Sequence, residues 1–544
     1  MVSESDIERV ARESFGWERL RPAQLDAIGA AVEGRDVLAV LATGYGKSAV
    51  YQVAAAIRGG LTVVVSPLIA LQEDQLAGLQ EAPDAPAAVA LNSTRGVRAQ
   101  REAWRQLRAG AAEYVLLAPE QLAKEEVLTE LAGLDVSLLV VDEAHCIASW
   151  GHDFRPDYLL IGALAYRLGR PPVVALTATA STPVRDEIVT RLGLRDPDIL
   201  IGDLDRPNIE LIVRRHTDDA DKRGAVLDDV AALPKPGLLY TATRRDAERY
   251  AEELSHRGLR SAPYHAGLRA GDRQRVHEAF LDDELDVVVA TSAFGMGIDK
   301  ENVRFVVHAD APDSVDAYSQ ELGRAGRDGD AAVATLHYRP EDLALRRFFA
   351  ARRPDGGDVR RLFEALEQGA RSRPQLADAT GMTARRITGL LSLLSDTAAV
   401  RLDRRGATPR RGVDARTAAE QALERAEERE RIERSRVEML RGYAETRRCR
   451  RQVLLGYFGQ ELDGPCGNCD TCADGTAMEQ ETSRDERATW AVDDRVQHRE
   501  WGEGTVMEVE DDRMTVFFER EGYKVLSIDL VERKDLLETE PVRR

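Results

Sequence analysis

Short apolar runs of β-like composition alternate with helical stretches from residue 37 to about residue 203, and the alternation restarts after the segment DRPNIEL. The first series reads DVLAVLA, LTVVVS, YVLLAP, LLVVDE and PVVALTA. The second reads GLLYTA, SAPYH, DVVVAT, VRFVVH and AVATLHY and ends near Arg339. Strand and helix in turn are the pattern of a parallel sheet with helices on both faces, so an α/β chain with two such domains in tandem is expected. Their bounds fall at residues 1–203 and 204–340. The length of 544 residues is too great for one core, and about three or four domains follow from length alone.

Beyond residue 340 the alternation stops. Residues 341–448 read as a helical insert, in which RSRPQLADATGMTARRITGLLSLLSD has the spacing of helix, glycine-containing turn and helix. That unit fits either a helix-turn-helix or winged-helix module, with Arg385 and Arg386 on its second helix, or a structural three-helix spacer. Residues 449–475 form a small zinc subdomain by the cysteine argument below. Residues 476–489 are a polar linker, and residues 490–540, where Val, Phe and Thr alternate with charges around turns, read as a small β-barrel.

Composition narrows the setting. With 43% hydrophobic and 31% charged residues the chain reads as soluble and globular, and runs such as LTVVVSPLIAL are too short and interrupted to span a bilayer, so no membrane partner is expected. The start MVSESDIERV lacks a basic region followed by an apolar core, which makes a cytoplasmic, reducing setting the expectation. A net charge of −19 does not decide against nucleic acid, because binding depends on local patches and RLDRRGATPRRGVDAR is strongly basic.

The stretch LATGYGKSAVYQ follows a strand and opens a helix. Gly44 and Gly46 let the backbone around Thr43 turn tightly and aim N–H groups at phosphate oxygens. Lys47 reaches the β- and γ-phosphates, and Ser48 can hold Mg²⁺. The strict phosphate-loop pattern has Gly where this chain has Leu41. LLVVDEAH ends an apolar strand on Asp142, suited to the Mg²⁺ water shell, with Glu143 beside it to orient or deprotonate a water. Together the two stretches imply ATP hydrolysis. The second unit has no such loop but carries YSQELGRAGRDG, whose Gln320, Arg324 and Arg327 can approach the γ-phosphate when a cleft closes.

Four of the five cysteines are Cys449, Cys466, Cys469 and Cys472. Four soft ligands without a histidine suit tetrahedral, structural Zn²⁺, with an iron–sulfur cluster as the alternative; Cys146 reads as a packed thiol.

The stretches RPAQ, ATGYGKS, SPLIALQEDQ, LNST, APEQL, DEAHCIASWGHDFRPDY, LTATA, YHAGL, VVVATSAFGMGIDKENVRFVVH and QELGRAGRDG, in this order, make residues 14–339 resemble the two-domain motor of a superfamily 2 helicase of the RecQ family. The resemblance implies two RecA-like domains and an ATP-dependent DNA helicase moving 3′ to 5′ on single-stranded and partially duplex DNA, in repair and recombination. It also implies that Arg21 and Gln24, with Trp17 nearby, recognise adenine. The loop after DEAH, with Trp150, His152, Phe154 and Arg155, would stack on single-stranded DNA and report to Asp142, Glu143 and His145. Thr291 would touch the DNA backbone and Asp299 would assist the ATP cleft. The cysteine segment, with the neighbouring RQVLLGYFG, is similar to the family's zinc subdomain. In many members that subdomain follows the motor almost directly, whereas here about a hundred residues intervene. The C-terminal segment resembles the SH3- or Tudor-like barrel of UvrD-type helicases, which implies a docking site for a protein such as the transcription or repair machinery. A nucleic-acid-stimulated translocase, an RNA helicase, or a DNA-dependent scaffold timed by ATP turnover are the alternatives.

Overall fold

Every residue of the strand Val37–Val40 is buried, as are all of Leu61–Val65, and a strand covered on both faces needs apolar side chains in both directions. In the computed structural model, which describes residues 2–67, 69–92, 94–148, 158, 160–295, 300–343, 353–403, 406–481, 490, 491, 494–509 and 513–539, these strands belong to a parallel sheet. Its order is Ala88–Leu91, Tyr114–Leu117, Leu61–Val65, Val136–Val141, Val173–Thr177, Val37–Val40, Asp198–Ile201. A second parallel sheet runs Ser261–Tyr264, Val287–Ala290, Gly237–Tyr240, Phe305–His308, Ala332–Tyr338, Ile209–Arg215. The expected α/β class with two tandem RecA-like units is therefore the architecture. In each sheet a central strand continues directly into a loop at its C-terminal end, the place where doubly wound sheets bind ligands.

The insert contains the helices Gly356–Glu367, Arg373–Thr380 and Ala384–Asp396, followed by an antiparallel hairpin of Val400–Asp403 and Gly406–Pro409. Ser372 caps the middle helix in a capping box with Gln375, and Gly381 at φ +71° ends it, which fixes the turn that the sequence suggested. Leu362, Phe363, Leu376, Ile387, Leu391 and Leu394 form its own core. The helix Ala415–Glu445 then runs 31 residues, about 46 Å at 1.5 Å per residue, and carries the chain back to the second sheet and the C-terminal domain.

The C-terminal domain has five antiparallel strands in the order Gly522–Ser527, Arg513–Phe518, Gly502–Val509, Arg495–His498, Leu537–Thr539. The end strands of that order are not paired with each other, so the small barrel is a curled open sheet among the described residues, closed over Val496, Val506, Met514, Val516 and Phe518. Among the described residues no helix is long and apolar enough to cross a membrane.

Candidate functional site

The strand Val37–Val40 runs into the loop 41–46, and the helix Lys47–Arg58 starts on Gly46. Gly44 and Gly46 both have φ +79°, a conformation that costs any side chain strain and leaves backbone N–H groups pointing outward in a cradle. Gly46 is required twice over, since a Cβ there would lie 2.9 Å from Gln24 Nε2. Thr43, Lys47 and Ser48 are half-buried around this loop.

Gln24 is almost wholly buried and its amide is engaged with the loop. Its Oε1 accepts from Arg21 N at 2.7 Å, and its Nε2 donates to Tyr45 O at 3.0 Å and Gly46 O at 2.9 Å. Both N–H donors are thus used inside the chain, where base recognition would need them free. Arg21 is exposed, with its guanidinium 4.3 Å from the centre of the Tyr45 ring, and half-buried Trp17 stacks on Phe15 at 4.9 Å.

Asp142 follows the strand Val136–Val141 and is held from two sides: Oδ1 accepts from Glu143 N at 2.9 Å and Oδ2 from Gln75 Nε2 at 3.2 Å. Burial, then the Glu143 charge, push its pKa up to about 6, against the pull of Lys47. Glu143 sits at φ +47°, unusual for a side chain with a Cβ, and its buried Oε2 has no hydrogen bond but lies 3.4 Å from His145 Nδ1. His145 is 1% exposed, with Nδ1 3.0 Å from Thr177 Oγ1. The Tyr158 hydroxyl donates to Asp142 O at 2.9 Å. Gln75, Thr177 and Tyr158 were not singled out from sequence, although they lie in SPLIALQEDQ, LTATA and DEAHCIASWGHDFRPDY, stretches already matched as motifs.

The second sheet supplies the facing wall. Helix Val315–Leu322 carries buried Gln320, and the turn after it carries buried Arg324 and half-buried Arg327. A Cβ at Gly44 would lie 3.3 Å from Arg327 Cγ, so the Arg327 stem lies directly over the phosphate loop. Thr291 is half-buried beyond the strand Val287–Ala290, bonded through its N–H to Tyr264 O at 3.2 Å. Trp150, His152, Phe154, Arg155 and Asp299 lie outside the described residues.

Cys449, Cys466, Cys469 and Cys472 place four thiol sulfurs within 4.8 Å of one another, none in a disulfide. Hydrogen bonds from Cys449, then Cys466, hold the Cys469 thiol well below the usual thiol range. Backbone N–H groups of Cys466 and Asn468 point at Cys449 Sγ and Cys466 Sγ, at 3.2 and 3.3 Å. A convergent, thiolate-only donor set with N–H···S support fits a structural zinc ion. Cys146 is apart, fully buried, 3.8 Å from His145 Nε2.

Four family models match the chain: DEAD/DEAH box helicase over residues 21–187, helicase conserved C-terminal domain over 225–329, RecQ zinc-binding over 412–473, and PcrA/UvrD tudor domain over 492–530. The chain is 34% identical over 465 residues to the ATP-dependent DNA helicase RecQ of Haemophilus influenzae, covering 86% of this chain but 63% of that protein. It is 39% identical over 340 residues to the probable ATP-dependent DNA helicase RecS of Bacillus subtilis, covering 62% of this chain and 68% of the relative. In fold it is similar to the Mycobacterium smegmatis helicase Lhr bound to ssDNA and AMP-PNP, with a TM-score of 0.51, 22% identity and coverage of 78% of this chain and 61% of that one.

Proposed function

The chain belongs to the RecQ family of helicases, and from that membership we propose that it couples ATP hydrolysis to 3′-to-5′ movement on single-stranded DNA and to duplex unwinding in DNA repair and recombination. The observation that carries the reading is the approach of Arg327 to Gly44, because it brings an arginine of one sheet over the phosphate loop of the other. ATP bound there would lie between two walls that can separate, which is what converts hydrolysis into motion.

In this reading the N–H groups of loop 43–48 and the Lys47 ammonium bind the phosphates, while Arg324 and Arg327 meet the charge that develops on the γ-phosphoryl group. Glu143 orients the attacking water and takes its proton. Ser48 and Asp142 offer hard oxygen donors that fit Mg²⁺, which would neutralise phosphate charge when bound. Gln320 approaches the γ-phosphate from the second wall when the cleft closes, and His145 links the catalytic acids to Thr177. Arg21 and Trp17 provide a stacking surface for adenine, with Gln24 shaping the loop. Trp150, His152, Phe154, Arg155 and Thr291 contact the DNA strand, and Asp299 supports the cleft.

The cytoplasm is the proposed setting, since it keeps four ligand thiols reduced. The C-terminal sheet domain, which exposes Val525 and Leu530, is the proposed dock for a protein of the repair or transcription machinery. ATP turnover with and without single-stranded oligonucleotide tests the whole reading. The wild type is expected to be strongly stimulated, Lys47→Ala to be inactive, and a Trp150→Ala, Phe154→Ala double variant to turn over slowly without responding to DNA. Equal stimulation of wild type and double variant would move DNA sensing to another part of the chain. Unwinding of RNA in preference to DNA duplexes would favour the RNA-helicase alternative.

A further inference from the structure

Residues 202–208 join the edge strand of the first sheet, Asp198–Ile201, to the edge strand of the second, Ile209–Arg215. One guanidinium in this short link touches both halves of the nucleotide cleft. Arg206 Nη1 donates to Thr43 O of the phosphate loop at 3.3 Å and to Gly323 O at 3.0 Å. Its Nη2 donates to Ala325 O and Gly326 O, both at 2.7 Å. Asn208 Nδ2, two residues on, donates to Gly326 O and Asp330 O at 2.8 Å. The turn is shaped around these donors: Gly326 has φ +54°, and a Cβ on it would lie 2.5 Å from Asn208 Nδ2.

Resting on the ATP-hydrolysis reading above, we infer that Arg206 is a positioning residue for that reaction, which sets the turn bearing Arg324 and Arg327 against the phosphate loop. Three of its four acceptors lie on the turn and one on the loop. The asymmetry fixes how the device works. The three shorter bonds keep Arg206 with the second sheet through the cycle, while the single longer bond to Thr43 O is the one that opens when the walls part. Four carbonyls spread around one planar guanidinium cannot be reached by the single nitrogen of lysine, so charge alone does not substitute. Both terminal nitrogens of Arg206 are engaged with backbone carbonyls, which suits it to holding the two walls together.

The test uses the full-length chain and two independent readouts. A Cβ at Gly323 would lie 3.5 Å from Thr43 Cβ, within the span of about 3.5–4.5 Å that a disulfide bridges, so a Thr43→Cys, Gly323→Cys pair reports the approach of the walls without nucleotide. Oxidation by diamide is followed by gel mobility, with each single-cysteine variant as background. Adding Arg206→Ala is expected to slow crosslinking about tenfold, and Arg206→Lys to resemble Ala more than Arg. In the chain without the added cysteines, Arg206→Ala is expected to lower DNA-stimulated kcat about tenfold with KM for ATP within about twofold, the split expected of a group that acts at the transition state. Unchanged crosslinking in the alanine variant, full restoration by lysine, or a rise in KM at constant kcat overturns the inference. The lysine variant carries the same test should the alanine variant not fold. A wild type without ATP turnover would overturn the function while crosslinking still decides the placement of Arg206.

Discussion

Glu143 combines two costs that a merely structural acid would avoid. Its backbone is in the left-handed region at φ +47°, and its side chain is buried with Oε2 lacking a hydrogen bond. Strain and desolvation of this kind, each on the order of 1–3 kcal/mol, persist where the surrounding structure enforces them and function needs them. Glu143→Gln keeps the shape and removes the proton acceptor. It is expected to bind a fluorescent ATP analogue as the wild type does but to turn ATP over about 10²–10³-fold more slowly, as a lost general base does. Equal turnover would remove Glu143 from the chemistry. At this scale the residue types were legible before the structure: a lysine after two glycines and two acids after a strand announce phosphate and metal chemistry by themselves. The partners were not, because Gln75 with Asp142, Gln24 with Gly46 and Arg206 with Gly326 are pairings across the fold, and nothing local in the sequence marks them.

The zinc subdomain is an element whose place explains its value. Cys469 forms a bridge with Leu211 on the edge strand Ile209–Arg215. Asn468 O accepts from Leu211 N at 3.3 Å, and Asp470 Oδ2 accepts from Val213 N at 3.0 Å. Four thiolates around a metal therefore cover strand N–H groups that would otherwise end the second sheet unpaired. Cys469→Ser is expected to lower zinc content well below the wild-type level and the melting temperature by about 5–10 °C, read by metal analysis and calorimetry. Full thermal stability without zinc would mean that the loop holds its shape unaided. The cysteine spacing made the metal legible, but not the surface it covers.

The insert divides the other way. Its helix, turn and helix were legible from the spacing around the glycine-containing turn, whereas the closing hairpin was not, since Val400–Asp403 and Gly406–Pro409 are four residues each, too short to stand out from the sequence around them. Three helices closed by a hairpin favour a winged-helix arrangement over a bare spacer. Arg386 is paired with Asp358, while Arg410 and Arg411 at the base of the hairpin are exposed, with no ion pair among the described residues. A double Arg410→Glu, Arg411→Glu variant is expected to bind tailed duplex DNA more weakly and to lower the salt dependence of binding by roughly two counterions. An unchanged slope would return the unit to the role of spacer.

Across the whole molecule, one buried chain of contacts links the C-terminal domain, both sheet domains, the flank of the zinc subdomain and the 31-residue helix. The Tyr523 hydroxyl of the C-terminal domain is 3.4 Å from Ser181 Oγ of the first sheet's domain and 3.1 Å from the Tyr457 hydroxyl beside the zinc subdomain. Tyr457 donates to Asp316 Oδ2 of the second domain at 2.7 Å, and Arg436 of the 31-residue helix donates to the same oxygen at 2.8 Å. Arg436 and Asp316 are both nearly inaccessible to solvent, so the pair is costly to separate and stays with the second domain. The longest contact is the one to Ser181, and it is the link that must break if the two sheets move apart. Ser181 occupies the N-cap position of the helix Thr182–Leu192, but its side chain makes no capping bond, so Ser181→Ala removes the contact without uncapping the helix. If the C-terminal domain restrains opening of the cleft, and opening limits product release, then Ser181→Ala and Tyr523→Phe should each raise ATP turnover without DNA by about threefold, and the double variant should do no more than either alone, because both remove one contact. Additive effects would mean that the two side chains act through separate neighbours, and unchanged turnover would mean that the sheets part without involving the C-terminal domain.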